Sequence, residues 1–144
     1  MCYSVYIGTN QKQTTTTWKE GETLLCLREL SKDDEIVKTK FSKTNIYYVG
    51  ADKGCSCGFA WTKCNIEDFN DPEEQERKKS PQKLIDLIAS LTEKESIEFY
   101  CCWVGDWNEP ITKNLEIDIK DVGLDKFYFM EEKQFILFRQ QMSD

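Results

Sequence analysis

The run from Ile97 to Val104 constrains the fold more than any other part of this sequence. It reads Ile-Glu-Phe-Tyr-Cys-Cys-Trp-Val, so large apolar side chains alternate onto one face and semi-apolar ones onto the other. A strand with apolar side chains on both faces is buried only if both faces of its sheet are covered. We therefore predict a central β-strand here.

The segment that follows Ser80 predicts the main helix. Apolar side chains recur there at helical spacing, at Leu84, Leu87, Ile88 and Leu91, and Ile85 widens the stripe. Pro81 suits the first turn of a helix and disrupts a helix interior, because it lacks a backbone N–H. We predict a helix over 81–92 and expect no continuous helix from 72 to 92.

Shorter patterns predict the remaining elements. Strands are expected at 3–7, ended by Gly8, and at 24–28, 45–50 and 115–119, and a closing hairpin pairs 127–130 with 135–138. A short helix is expected to begin with Ser31 as its cap and to end near Lys40. This order favours an α+β fold, with a mainly antiparallel sheet of about six or seven strands. Helix 81–92 would cover one face, beside one or two short helices, within a single domain of residues 1–144.

Composition narrows the classes of function. The chain has no histidine, which removes the commonest general base and metal ligand. Its 26 acidic and 19 basic residues give a net charge of −7, so we expect no nucleic-acid partner and no membrane partner. The first eight residues lack the pattern of a secretory signal, and the cysteine count of seven is odd. We therefore expect reduced thiols and a cytoplasmic location.

Two stretches resemble a known family. Tyr6-Ile7-Gly8-Thr9 lies near the start, and Gly54-Cys55-Ser56-Cys57-Gly58-Phe59 follows the Tyr47–Gly50 segment. Together they resemble a family of small uncharacterised bacterial proteins that begin in the same way and carry a Gly-Cys-x-Cys-Gly-Phe element. The resemblance covers about twenty positions. It implies a bacterial source and carries no activity, because that family has none assigned.

The cysteines allow three interpretations. Cys55, Cys57 and Cys64, joined by Cys101 or Cys102, could bind zinc through thiolates, although their spacing differs from that of structural zinc sites. The Cys55-x-Cys57 element could instead do redox chemistry near Lys53 and Lys63. The third interpretation is that the cysteines are small apolar core residues and that the protein has no cofactor. Cys101 and Cys102 are expected on opposite faces of their strand, which makes a shared ion unfavourable.

The loop after the central strand is the other candidate site. Trp107 lies between Asp106 and Glu109, and such a loop could recognise a partner or a small cation. Alternatively, Trp107 folds back over the edge of the core with its N–H bonded to a loop carbonyl. Asp106 and Glu109 could also form an acid–base pair. Phe59 and Trp61 could line a binding surface or pocket with Tyr47 or Tyr48, and they fit a core face equally well.

We expect a small binding protein without catalytic activity, acting on a protein partner or as a homo-oligomer. Its predicted binding surface contains Asp106, Trp107 and Glu109, with Phe59 and Trp61. The alternative is a metal-binding or redox protein built on Cys55, Cys57 and Cys64. An enzyme that uses carboxylates for a small ligand is the third hypothesis.

Overall fold

The computed structural model describes residues 3–15, 19, 25–51, 56–59, 72–123 and 133–140, with backbone alone at 57, 58 and 72–78. Six strands form one sheet in the order β2-β3-β1-β4-β6-β5. Their bounds are β1 Tyr3–Thr9, β2 Cys26–Glu29, β3 Asn45–Gly50, β4 Ile97–Trp103, β5 Lys113–Asp118 and β6 Gln134–Arg139. Within the described residues, one α-helix, α1, spans Pro72–Thr92, and three 3₁₀ helices span Glu35–Lys40, Ser56–Phe59 and Ile119–Asp121. The protein is therefore α+β, as predicted.

Strand β4 is central, as its sequence predicts. It pairs antiparallel with β1 on one side and with β6 on the other, and Ile97 to Cys102 are all buried. Its side chains divide between two clusters, as strand alternation requires. Phe99 and Cys101 face one cluster, whereas Tyr100 and Cys102 face the other. Both faces of the sheet are thus covered.

The helix-side core lies between the sheet and α1. The apolar stripe of the helix supplies Leu84, Ile85, Ile88 and Leu91 to this core. These side chains meet inward-facing residues of four strands, among them Val5, Val49, Phe99 and Ile136. The burial of these apolar groups is the main favourable term that fixes α1 on the sheet.

Helix α1 corrects the prediction at Pro81. The helix is continuous over 21 residues and contains Pro81 in its interior. A proline there removes one backbone hydrogen bond and costs ~3 kcal/mol relative to alanine. However, Pro81 is buried, and it precedes Leu84 and Ile85 by three and four residues on the same helix face. Burial of the ring on the packed face offsets part of that cost, which local sequence rules do not count.

The short helix after β2 corrects a second prediction. It is a 3₁₀ helix over Glu35–Lys40 that begins after Asp34, not after Ser31. The hydrogen bonding of Ser31 also differs from the prediction, because a helix cap accepts from a backbone N–H whereas Ser31 donates. Ser31 donates both its backbone N–H and its hydroxyl to Asp34 Oδ1, at 2.7 and 3.0 Å. Asp34 is therefore the acceptor whose hydrogen bonds stabilise this turn.

The far edge of the sheet differs from the predicted hairpin. Strand β6 has β4 as an antiparallel neighbour and β5 as a parallel one, so both of its edges are occupied. The predicted partner, residues 127–130, lies outside the described residues. The sheet is consequently mixed, with five strands joined antiparallel and β5 added in parallel.

Strand β1 runs through Gly8 instead of ending there. Gly8 pairs with Ile46 on one side and Glu98 on the other. A Cβ at this position would lie 2.7 Å from Phe41 Cδ1 and 3.1 Å from Glu98 Oε1. Close approach of these two side chains explains the glycine.

In the described part of the chain, no helix is both long and apolar enough to cross a membrane.

Candidate binding site

A row of tyrosines crosses the sheet face that lies opposite α1. Tyr48, Tyr6 and Tyr100 occupy directly paired positions on β3, β1 and β4. With Val37 and Cys102 they form the far-side cluster, which the first 3₁₀ helix and the loop after β4 cover. The Tyr6 and Tyr48 rings meet edge to face, with centroids 5.8 Å apart.

The three hydroxyls of this row have different surroundings. Tyr6 Oη donates to Asp34 Oδ2 at 2.9 Å, and Tyr48 Oη accepts from the Ser56 N–H at 3.2 Å. Tyr100 Oη is buried and has no hydrogen-bond partner. Its residue has no solvent-exposed surface. The row therefore places one unpaired hydroxyl at a fully buried position.

Asp34 anchors the row at its middle member, Tyr6. Besides Tyr6 and Ser31, it pairs with Arg28, whose Nη2 lies 3.2 Å from Oδ2. Burial raises the pKa of this carboxyl, but hydrogen bonds from Tyr6 and Ser31 and the charge of Arg28 outweigh burial and lower it. Arg28 also lies over the Tyr48 ring, with Cζ 4.0 Å from the centroid. These contacts satisfy Asp34 fully, so we assign it a structural role.

The loop of residues 104–111 covers Tyr100. It leaves β4 in a turn where the Asp106 N–H donates to the Trp103 carbonyl at 3.0 Å and the Glu109 N–H donates to the Asp106 carbonyl at 3.0 Å. Gly105 has a φ of 101°, a conformation that glycine adopts without strain. The loop thus reverses direction tightly and returns over the far-side cluster.

Trp107 folds back onto the far-side cluster, which agrees with the core-edge alternative for this residue. The expected hydrogen bond is not formed, because Trp107 Nε1 is buried without a partner. Trp107 itself is half-buried. The exposed large apolar side chain of this loop is Val104, with 48% of its surface accessible. Trp107 therefore covers the far-side cluster, and its indole N–H is an unpaired hydrogen-bond donor.

Charged groups surround the Tyr100 hydroxyl. Lys40 Nζ lies 5.5 Å from the Tyr100 ring centroid and donates to the Glu109 carbonyl at 2.6 Å. Burial raises the pKa of the Tyr100 phenol strongly, and the neighbouring cysteines and the carboxylates of Asp106 and Glu109 raise it further. We call Tyr100, Trp107, Asp106, Glu109 and Lys40 the loop site.

Phe59, another predicted surface residue, is not part of this site. Phe59, expected in a binding surface, is fully buried in the helix-side core. It sits at the end of the second 3₁₀ helix, where its ring packs as a core residue, so it is not available to a partner. Trp61 lies outside the described residues.

The cysteine hypothesis stays a prediction. Cys55 and Cys64 lie outside the described residues, and only the backbone of Cys57 is described. Cys101 and Cys102 are buried on opposite faces of β4, as predicted. Within the described ranges, no group of three or more acidic or cysteine side chains is arranged to hold a metal ion.

The sequence predicted Asp106, Trp107 and Glu109 as part of a binding surface, and this stays a prediction; it did not include Tyr100 or Lys40. Tyr100 was assigned only to a covered strand face, and Lys40 only to the end of a short helix. The strand register brings Tyr100 under the loop, and the 3₁₀ helix brings Lys40 to it from a distant part of the chain. The geometry of the loop site is the basis for assigning a function, since a comparison of the chain with models of protein families, with curated proteins and with solved structures finds no match.

Proposed function

We propose that this protein functions by binding, without catalytic activity, and that the loop site is where its ligand is held. The observation that carries the proposal is a pair of unpaired polar atoms. Tyr100 Oη and Trp107 Nε1 are both buried, both belong to the far-side cluster or pack against it, and neither has a hydrogen-bond partner.

Unpaired polar atoms are uncommon in folded proteins. Most buried polar groups are hydrogen-bonded, and leaving one unpaired costs about 1–3 kcal/mol. Elsewhere on the same face, Tyr6 and Asp34 satisfy each other at 2.9 Å. Of the three buried unpaired side-chain atoms among the described residues, two are at the loop site, and the third is Gln134 Oε1 on β6. Two such atoms at one site favour a site whose hydrogen bonds are completed by a ligand.

The chemistry of the site suits binding better than catalysis. A general base has to lose its proton near the working pH. The pKa of the Tyr100 phenol is raised well above its usual value, so the hydroxyl stays protonated at neutral pH. The chain also has no histidine to assist it. Tyr100 and Trp107 thus present two neutral hydrogen-bond donors.

Thermal unfolding in the presence of a small-molecule library tests this proposal. A ligand present at 100 times its Kd stabilises a folded protein by about 2.7 kcal/mol, which raises the melting temperature by several degrees. We expect stabilising compounds to lose their effect in Trp107→Phe. The matched control is Trp103→Phe, because Trp103 stacks on Tyr3 at 4.2 Å outside the loop site. Compounds that stabilise Trp107→Phe as strongly as the natural chain would place the binding elsewhere.

A protein partner or a second copy of this chain stays a further proposal. Val104 and Ile36 are the exposed large apolar side chains of the described residues, at 48% and 43%. Sedimentation of the natural chain and of Val104→Ser tests it. A dimer that Val104→Ser dissociates would support self-association, whereas a monomer at all concentrations would leave small-molecule binding as the proposed function.

A further inference from the structure

We propose that the loop site recognises a neutral molecule through a carbonyl oxygen, such as a small amide, and discriminates against anions. This inference rests on the binding function proposed above and adds the chemical class of the ligand. It follows from which hydrogen-bond groups are unpaired and from the charges around them.

The unpaired atoms are both donors. An indole N–H donates and has no capacity to accept. Tyr100 Oη is fully buried and lies near two carboxylates, which keeps its proton in place. A ligand that completes this site therefore needs an acceptor. A carbonyl oxygen has two lone pairs, so one carbonyl has the capacity to accept a hydrogen bond from each of Tyr100 and Trp107.

The charges at the site disfavour an anionic acceptor. Asp106 and Glu109 contribute two carboxylates that act on Tyr100, and Lys40 contributes one ammonium. The ammonium is already engaged, since Nζ donates to the Glu109 carbonyl at 2.6 Å. A carboxylate or phosphate ligand would meet the negative charges of these two residues, of which Asp106 is half-buried and Glu109 is exposed, and like charges repel each other. A neutral carbonyl avoids that repulsion.

Entry to the site requires the loop to move, because Tyr100 has no exposed surface. The turn at Gly105 is uncrowded, since a Cβ there would meet nothing within 4 Å. Trp107 is the side chain that covers the cluster at this point. Displacement of Trp107 and its loop therefore gives the ligand its route, and the indole N–H reports directly on occupancy.

The test follows the Trp107 indole N–H by ¹H–¹⁵N NMR of the full chain. The chain has four tryptophans, and Trp107→Phe and Trp103→Phe assign the two relevant signals. The probes are N-methylacetamide, which carries a neutral carbonyl, and acetate, which is of similar size and anionic. We expect N-methylacetamide to shift the Trp107 signal saturably, without moving that of Trp103, and acetate to leave it unchanged.

Two variants sharpen the result. Tyr100→Phe removes one donor and should weaken N-methylacetamide binding about fivefold, the effect of one neutral hydrogen bond. Asp106→Asn with Glu109→Gln removes both negative charges and should allow acetate to shift the Trp107 signal.

Each other outcome overturns the inference. If acetate shifts the natural chain as much as N-methylacetamide does, the ligand class is wrong while the site stands. If neither probe shifts the signal and the indole proton cross-relaxes with a long-lived water, a bridging water completes the site. If neither shifts it and no such water is detected, the carbonyl inference is also wrong. The thermal screen judges the binding site independently, so a positive screen with a negative titration rejects the ligand class alone.

Discussion

Tyr6 and Tyr100 face each other on neighbouring strands, yet the hydroxyl of Tyr6 donates to Asp34 at 2.9 Å whereas the hydroxyl of Tyr100 is unpaired. Both side chains are fully buried and belong to the same cluster. The two positions therefore share full burial and one cluster, and they differ in hydrogen bonding. That makes them a direct measure of what an unpaired buried hydroxyl costs this fold.

Replacement of each tyrosine by phenylalanine should have opposite consequences. Tyr6→Phe leaves the buried carboxylate of Asp34 without one donor, and we expect a loss of about 1–3 kcal/mol in the free energy of unfolding. Tyr100→Phe removes a hydroxyl that has no partner, so we expect no loss and a gain of up to ~1 kcal/mol. Urea unfolding of the two variants measures both. Equal destabilisation would mean that Tyr100 has a partner in solution.

Gly8 should not tolerate a side chain. In Gly8→Ala the new Cβ would lie 2.7 Å from Phe41 Cδ1 and 3.1 Å from Glu98 Oε1, so Phe41 has to move. The Phe41 ring packs on Phe135 with centroids 5.6 Å apart, which opposes that shift. Overpacking of this kind costs about 1–3 kcal/mol, measurable by urea unfolding. Adding Phe41→Leu should recover part of the loss, and an unchanged loss would locate the conflict at Glu98 instead.

Ser56 should stabilise the end of the sheet at which β1 and β3 stop pairing. Its hydroxyl accepts from the Val5 N–H at 2.9 Å and donates to the Val49 carbonyl at 2.6 Å, so it bridges the last paired residues of the two strands. Ser56→Ala leaves both buried backbone groups unpaired, and we expect a loss of about 2 kcal/mol or more.

The amide of Val5 reports on this bridge directly. Its hydrogen exchange should accelerate in Ser56→Ala and stay unchanged in Ser90→Ala, because Ser90 is exposed on α1. Slow exchange in both variants would mean that another group, or a water molecule, replaces the hydroxyl.

Glu95 should make stability depend on acid pH. Burial raises the pKa of this carboxyl, but hydrogen bonds from the Asn10 N–H, Gln11, Thr9 and Lys43 lower it from 4.5 to about 2. Because the folded pKa is the lower one, the stabilisation is complete above the unfolded value of 4.5. It is lost as the pH falls through about 2.

Urea unfolding between neutral pH and pH 2.5 tests this linkage. Glu95→Gln should remove this part of the acid dependence and lower stability at neutral pH. The matched control is Glu93→Gln, since Glu93 is exposed two residues away. An identical pH profile for the natural chain and Glu95→Gln would contradict the assigned hydrogen bonds.

The parts of the fold that sequence predicted depend on local patterns. Strand β3 was predicted at its observed bounds, and the strand at Ile97 ends within one residue of the predicted position. The apolar stripe of α1 was also identified. In each case the signal is contained in a few consecutive residues, as a run of β-branched and aromatic side chains in the strands and as apolar side chains at helical spacing in α1.

The errors and omissions depend on contacts between distant residues. Pro81 is accepted in α1 because its ring is buried, and Asp34 is held by Tyr6 from another strand. Glu98 is buried, and its carboxylate accepts hydrogen bonds from the Ser42 hydroxyl and from the N–H groups of Ser42 and Lys43, which the sequence did not predict. Such partners follow from strand register and loop geometry, which one sequence without relatives does not reveal. The same reason applies to the loop site. Its loop residues are consecutive in the sequence, whereas strand register and the first 3₁₀ helix bring Tyr100 and Lys40 to them.

The position of β1 also determines when this protein can fold. It is the earliest of the described strands, yet it lies inside the sheet, between β3 and β4. Val5 pairs with Val49 on one edge and with Cys101 on the other. A growing chain therefore exposes one edge of β1 until the segment that forms β4 has been synthesised. Pairings so distant in sequence slow the search for the native sheet, and the open edge is where a nascent chain would be most prone to associate with another.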